Sequence, residues 1–107
     1  MSQYQAIVHY HFKKGMEEEG IEFLERELLK HAREYGCHDI ELCQSERDTA
    51  ELLGLALWNS IEEARTFQSH WMNKEKELLR FCTNPPTREI FRIRSTYVEK
   101  EQHRKSA

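Results

Sequence analysis

The chain is poor in the residues that dedicated binding motifs need. Four glycines in 107 residues exclude a glycine-rich phosphate cradle, and no Gly-x-Ser-x-Gly turn is present for a serine nucleophile. Three cysteines, Cys37, Cys43 and Cys82, are widely spaced and form no Cys-x-x-Cys pair. That usage predicts reduced thiols in a reducing compartment, without a zinc or redox centre. No stretch approaches about 18 consecutive apolar residues, so no membrane span is expected. A net charge of −3 comes without a basic face, which argues against a nucleic-acid partner. The opening MSQYQAIVHYHF has no basic region ahead of an apolar one, so a signal peptide is not expected and a cytoplasmic location is.

What remains is one domain's worth of chain with a thin core. A chain of this size hides only about two-thirds of its unfolded surface, and only 38% of the residues are apolar. Pairing with a second copy would bury a face that one chain cannot cover.

The pattern along the chain is regular. Residues 4–12, YQAIVHYHF, alternate as a strand, with Tyr4, Ala6, Val8, Tyr10 and Phe12 on one face and Gln5, Ile7, His9 and His11 on the other. Residues 16–35 carry Ile21, Leu24, Leu28, Ala32 and Tyr35 at helical steps. Glu17, Glu18 and Glu19 open that helix, basic residues close it, and Gly36 ends it. Residues 38–46 alternate as a half-exposed strand. LLGLALW (52–58) is nearly continuous in apolar residues and predicts a strand buried on both faces. Ser60 and Glu63 have the spacing of a capping box, opening a second helix whose stripe runs Ile61, Ala64, Phe67, Trp71, Leu78 and Cys82. The adjacent Pro85 and Pro86 stop it. A last strand is expected over 88–98, and 99–107 reads as a flexible polar tail.

The order β-α-β-β-α-β predicts an α+β, ferredoxin-like sandwich over residues 1–98. With that order, FKKG after the first strand, YGCHDIEL (35–42) and LALWNSIEEA (55–64) make the chain resemble the antibiotic-biosynthesis-monooxygenase-like family of dimeric α/β barrels. The resemblance runs from Tyr4 to about Val98. It implies a homodimer whose two sheets close into a barrel. It also implies oxygenation of a small aromatic or quinol-like substrate without a dedicated cofactor or metal. The pattern departs from the family at Phe67, where many members carry a histidine, and strand one lacks the asparagine of the haem-degrading branch, which disfavours that branch.

The candidate bases are His9 and His11, sharing one strand face, and His70, near the edge of the second helix. Each also has a plain structural role open to it, as a sheet or solvated helix histidine. Trp58 is expected to pack the strand–helix corner, with substrate stacking as the alternative. Tyr10 joins the substrate-binding candidates if its face, and not that of the histidines, lines the cavity. Arg92 and Arg94 share a face of the last strand, as a charged edge or as an attractor of an anionic substrate. A non-catalytic barrel that binds a small ligand is the competing function.

Overall fold

The computed structural model describes residues 3–98; the expected tail, 99–107, lies outside the described residues. Strand β1 (Tyr4–His11) leads through a turn at Gly15 into α1 (Glu17–Phe23). That helix passes through a π-helical stretch, Leu24–Leu28, into α2 (Leu29–Glu34). Gly36 then takes φ +88°, the left-handed conformation that ends a helix. Strand β2 (Asp39–Gln44) and β3 (Glu51–Trp58) form a hairpin, α3 (Ile61–Glu75) follows, and a 3₁₀ turn (Leu79–Phe81) precedes β4 (Thr87–Arg92). All neighbours pair antiparallel in the order β2-β3-β1-β4, so the most apolar strands are central and the fold is α+β and ferredoxin-like.

Local chemistry accounts for the element ends. Ser60 Oγ accepts the backbone N–H of Glu63 at 3.1 Å and caps α3. In the β2–β3 loop, Ser45 Oγ accepts from Arg47 and Asp48, and Asp48 accepts from Ala50. Gly20 sits in a helix because a Cβ there would lie 2.3 Å from the Phe12 ring. The helix and strand approach too closely for any side chain.

The helices cover one face of the sheet. Ala6, Tyr10, Leu52, Ala56 and Trp58 are buried beneath them, against Leu24, Leu28, Ala32, Ala64, Phe67 and Trp71. The opposite face carries Ile7, His9, Leu53, Leu55, Leu57 and Phe91 and is only partly covered. Three expectations change here. Strand 52–58 is buried on one face only, because a single chain supplies one layer of helices. The final strand stops at Arg92 instead of running to residue 98: Arg92 lies opposite Tyr4, where β1 begins, and one further backbone bond, from Ile93 N–H to the Gln3 carbonyl, continues the pairing among the described residues. Helix α3 ends at Glu75, although Leu78 and Cys82 still reach the core from the turns that follow.

Candidate functional site

Between sheet and helices lies a cavity of about 20 Å³, lined by Ala6, Trp58, Phe67, Gln68, Trp71 and Arg88 among others. That volume admits a single water. Its walls are aromatic and aliphatic, but three of the lining residues, from three elements, carry side-chain donors. Trp58 Nε1 comes from the end of β3, Gln68 Nε2 from the middle of α3 and Arg88 Nη1 from β4. Each is buried and has no hydrogen-bond partner among the described residues. Unsatisfied buried donors are rare because each forfeits its hydration without replacement. Three at one cavity therefore mark it as a place for an acceptor.

A carboxylate anchors this group. Glu75, 5% exposed, accepts from Trp71 Nε1 at 3.0 Å and from the Tyr10 hydroxyl at 3.4 Å, and pairs with Arg88 Nη2. The pair engages Nη2 and leaves Nη1 without a partner among the described residues. Burial, then the charge of Glu75, pushes the Tyr10 phenol far above its ordinary range, so Tyr10 stays protonated and donates. Burial also pushes the Cys82 thiol up to about 11.

The histidine candidates lie elsewhere. His9 and His11 face the open side of the sheet, away from the helices. His9 Nε2 is 2.5 Å from Glu51 Oε2; His11 contacts Asp48 and Thr83, each at 3.2 Å. A surface cleft of about 280 Å³ adjoins His9, Cys43 and Glu51. His70 is exposed on the outer helical surface, tilted against Tyr35 with ring centroids 4.9 Å apart and beside His31 at 5.6 Å. None of the three lines the sheet–helix cavity.

Of the remaining candidates, Trp58 lies at the cavity, fully buried, with Phe67 at 5.3 Å. Phe67, where the family pattern has a histidine, stacks on Trp71 and completes the aromatic wall. Tyr10 takes the first of its two expected placements, under the helices, where its hydroxyl donates to Glu75. Arg92 is exposed near the end of β4 and Arg94 beyond it, and neither reaches the cavity. Arg88, Gln68 and Glu75 escaped the sequence reasoning. A signal for Glu75 was present: it falls four residues after Trp71 on the apolar stripe, where a carboxylate needs a partner. Arg88 alternates with Ile90 on the covered face of β4 and supplies that partner.

Among the described residues no group of three or more His, Cys, Asp or Glu side chains is placed to hold a metal ion. Among the described residues no helix is long and apolar enough to cross a membrane. No protein-family profile matches the sequence. No curated protein sequence matches it either.

Solved structures do match. SnoaB, a cofactor-independent oxygenase from Streptomyces nogalater, superposes with a TM-score of 0.76 at 16% identity, over 91% of this chain and 98% of that one. The monooxygenase ActVA-Orf6 of Streptomyces coelicolor, solved with nanaomycin D, gives 0.75 at 15% identity over 91% and 92%. A further structure named antibiotic biosynthesis monooxygenase gives 0.70 at 12% over 88% and 99%. At these identities the likeness concerns the backbone. The chain has the α+β, ferredoxin-like fold of the antibiotic biosynthesis monooxygenases.

Proposed function

We propose that the protein is a monooxygenase acting, without a resident cofactor, on a small phenolic or quinol-like substrate whose oxygen enters the sheet–helix cavity. The carrying observation is that Trp58, Gln68 and Arg88 all line that cavity while Trp58 Nε1, Gln68 Nε2 and Arg88 Nη1 are buried without partners among the described residues. Leaving a donor buried and unsatisfied costs about 1–3 kcal/mol, and a phenolate oxygen could accept from all three. Arg88 and two neutral donors stabilise the phenolate over the phenol, lowering the substrate's pKa without a histidine. Its proton leaves to water at the mouth, where Gln68 and Arg88 are part-exposed. A ring is larger than the resting cavity, so entry requires those two long side chains to swing aside.

The phenolate then reduces dioxygen itself. One oxygen atom bonds to the ring carbon that loses its hydrogen, the other departs as water, and the phenol becomes a quinone. Phenol plus dioxygen gives quinone plus water, with all four electrons drawn from the substrate. The names of the similar solved structures support this chemistry. We also propose that two copies pair through the open sheet face, which would cover Leu53, Leu55 and Leu57.

One observation favours a second function, a non-catalytic carrier of the same ligands: among the described residues no histidine and no unpaired carboxylate lines the cavity. An oxygen electrode with a panel of naphthols and hydroquinones separates the two. Oxygen uptake with quinone formation, lowered roughly 100-fold or more in Arg88→Met, supports the oxygenase. Saturable binding without uptake supports the carrier. Neither binding nor uptake across the panel sinks both.

A further inference from the structure

Two histidines of the helical layer meet across elements, outside the cavity. His31 on α2 and His70 on α3 have ring centroids 5.6 Å apart, with their planes inclined at 34°. His70 also rests against Tyr35, one turn beyond His31, so its ring contacts both side chains.

The two rings are held differently. His31 Nδ1 lies 2.7 Å from the backbone carbonyl of Glu27, within the π-helical stretch. A carbonyl only accepts, so Nδ1 carries the proton and the neutral ring keeps its lone pair on Nε2. Histidines that bind metal ions are oriented in this way, with the other N–H given to a backbone carbonyl or carboxylate. π-Helical turns also recur at functional sites. His31 Nε2 has no hydrogen-bond partner among the described residues, and neither ring nitrogen of the exposed His70 has one.

Distance and charge agree with a shared ion. Imidazole nitrogen binds zinc at about 2.0–2.1 Å, which puts two ring centres on one tetrahedral ion about 5 Å apart. A small turn of the exposed His70 ring closes the remaining gap. Four charged side chains lie close by and offset one another. Glu27 is 4.0 Å from His31 Nδ1, Arg26 and Lys74 pair with Glu27, and Lys74 also pairs with Glu77.

We propose that His31 Nε2 and a ring nitrogen of His70 hold one zinc-class divalent ion between α2 and α3, with water completing its shell. Neutral imidazole suits zinc and copper(II), whereas magnesium and calcium demand oxygen ligands. The ion is structural: it ties the two helices together, and neither histidine lines the cavity.

Titration of the full chain with copper(II), followed by tryptophan fluorescence, and with zinc, followed by calorimetry, tests this. The His31 ring lies 6.0 Å from that of Trp71, so copper held there quenches the indole. Both titrations use a Cys43→Ser chain, which removes the exposed thiol as a rival ligand. His70→Ala, an exposed substitution that leaves the core untouched, weakens quenching and zinc affinity about tenfold or more. His9→Ala and His38→Ala leave the quenching unchanged. Zinc also raises the melting midpoint of the parent but not of His70→Ala. In long-range proton–nitrogen spectra zinc shifts His31 Nε2 while Nδ1 keeps its proton. Quenching and zinc affinity indifferent to His70→Ala, or no saturable binding up to about 1 mM metal, overturn the proposal.

Discussion

Glu75→Leu should unfold the protein far more readily than an ordinary core substitution. The carboxylate is 5% exposed and serves three donors: Trp71 Nε1, the Tyr10 hydroxyl and Arg88 Nη2. Leucine fills a similar volume but accepts nothing. Removing one member of a buried ion pair costs about 3–5 kcal/mol, chiefly because the remaining charge is left uncompensated. The Arg88 side chain is 18% exposed, so water relieves part of that penalty and the lower end applies. In a domain of this size each kcal/mol shifts the melting midpoint by roughly 4–8 °C, so a fall of about 12 °C or more is expected. Urea unfolding followed by tryptophan fluorescence measures the free energy directly, with the slope checked for constancy.

The partner substitution sharpens the test. Glu75→Leu with Arg88→Met removes both charges, and exchanging a whole buried pair for apolar groups is often neutral or better. The double variant should therefore be more stable than Glu75→Leu alone. The residual loss reports the orphaned Tyr10 and Trp71 donors, about 1–3 kcal/mol each at most. If Glu75→Leu lies within about 0.5 kcal/mol of the parent, or the two substitutions simply add, the buried network does not exist as described.

Other consequences follow from separate parts of the fold. Gly20→Ala should destabilise in urea despite a helix-propensity gain of about 1 kcal/mol, because the new methyl meets the Phe12 ring; a net gain would mean that ring moves freely. Ser60→Ala should cost about 1 kcal/mol through loss of the α3 cap, read from the same titration. Stability should also fall in alkali. Tyr10 and Cys82 have folded-state pKa values above their ordinary 10.0 and 9.0, so their contribution is complete below pH 9. It is lost as pH rises through about 11 for Cys82 and higher for Tyr10. A Tyr10→Phe, Cys82→Ala variant should show a flatter urea midpoint between pH 9 and 11, and an unchanged slope would refute the assignment.

Element order was legible from periodicity alone. Alternation in residues 4–12 and 52–58, the stripe through Leu24, Leu28 and Ala32, the Ser60 cap and the Gly36 stop are local signals, each set by a few neighbouring residues. They sufficed for β-α-β-β-α-β, and that order implied which strands are central. Even the assignment of His9 and His11 to a common face followed from a period of two. Which way that face points did not, because alternation is symmetric until the helices choose a side. Tertiary packing put Tyr10 and Trp58 beneath the helices and left the histidines on the open face. It also ended β4 at Arg92, where the neighbouring strand begins, something no local pattern encodes. Glu75 and Arg88 lie 13 residues apart, on a helix and a strand; Glu75 falls on the apolar stripe, but nothing local names Arg88 as its partner. Only the fold makes them partners, turning two solvated ions into one buried pair that holds a guanidinium beside an apolar cavity.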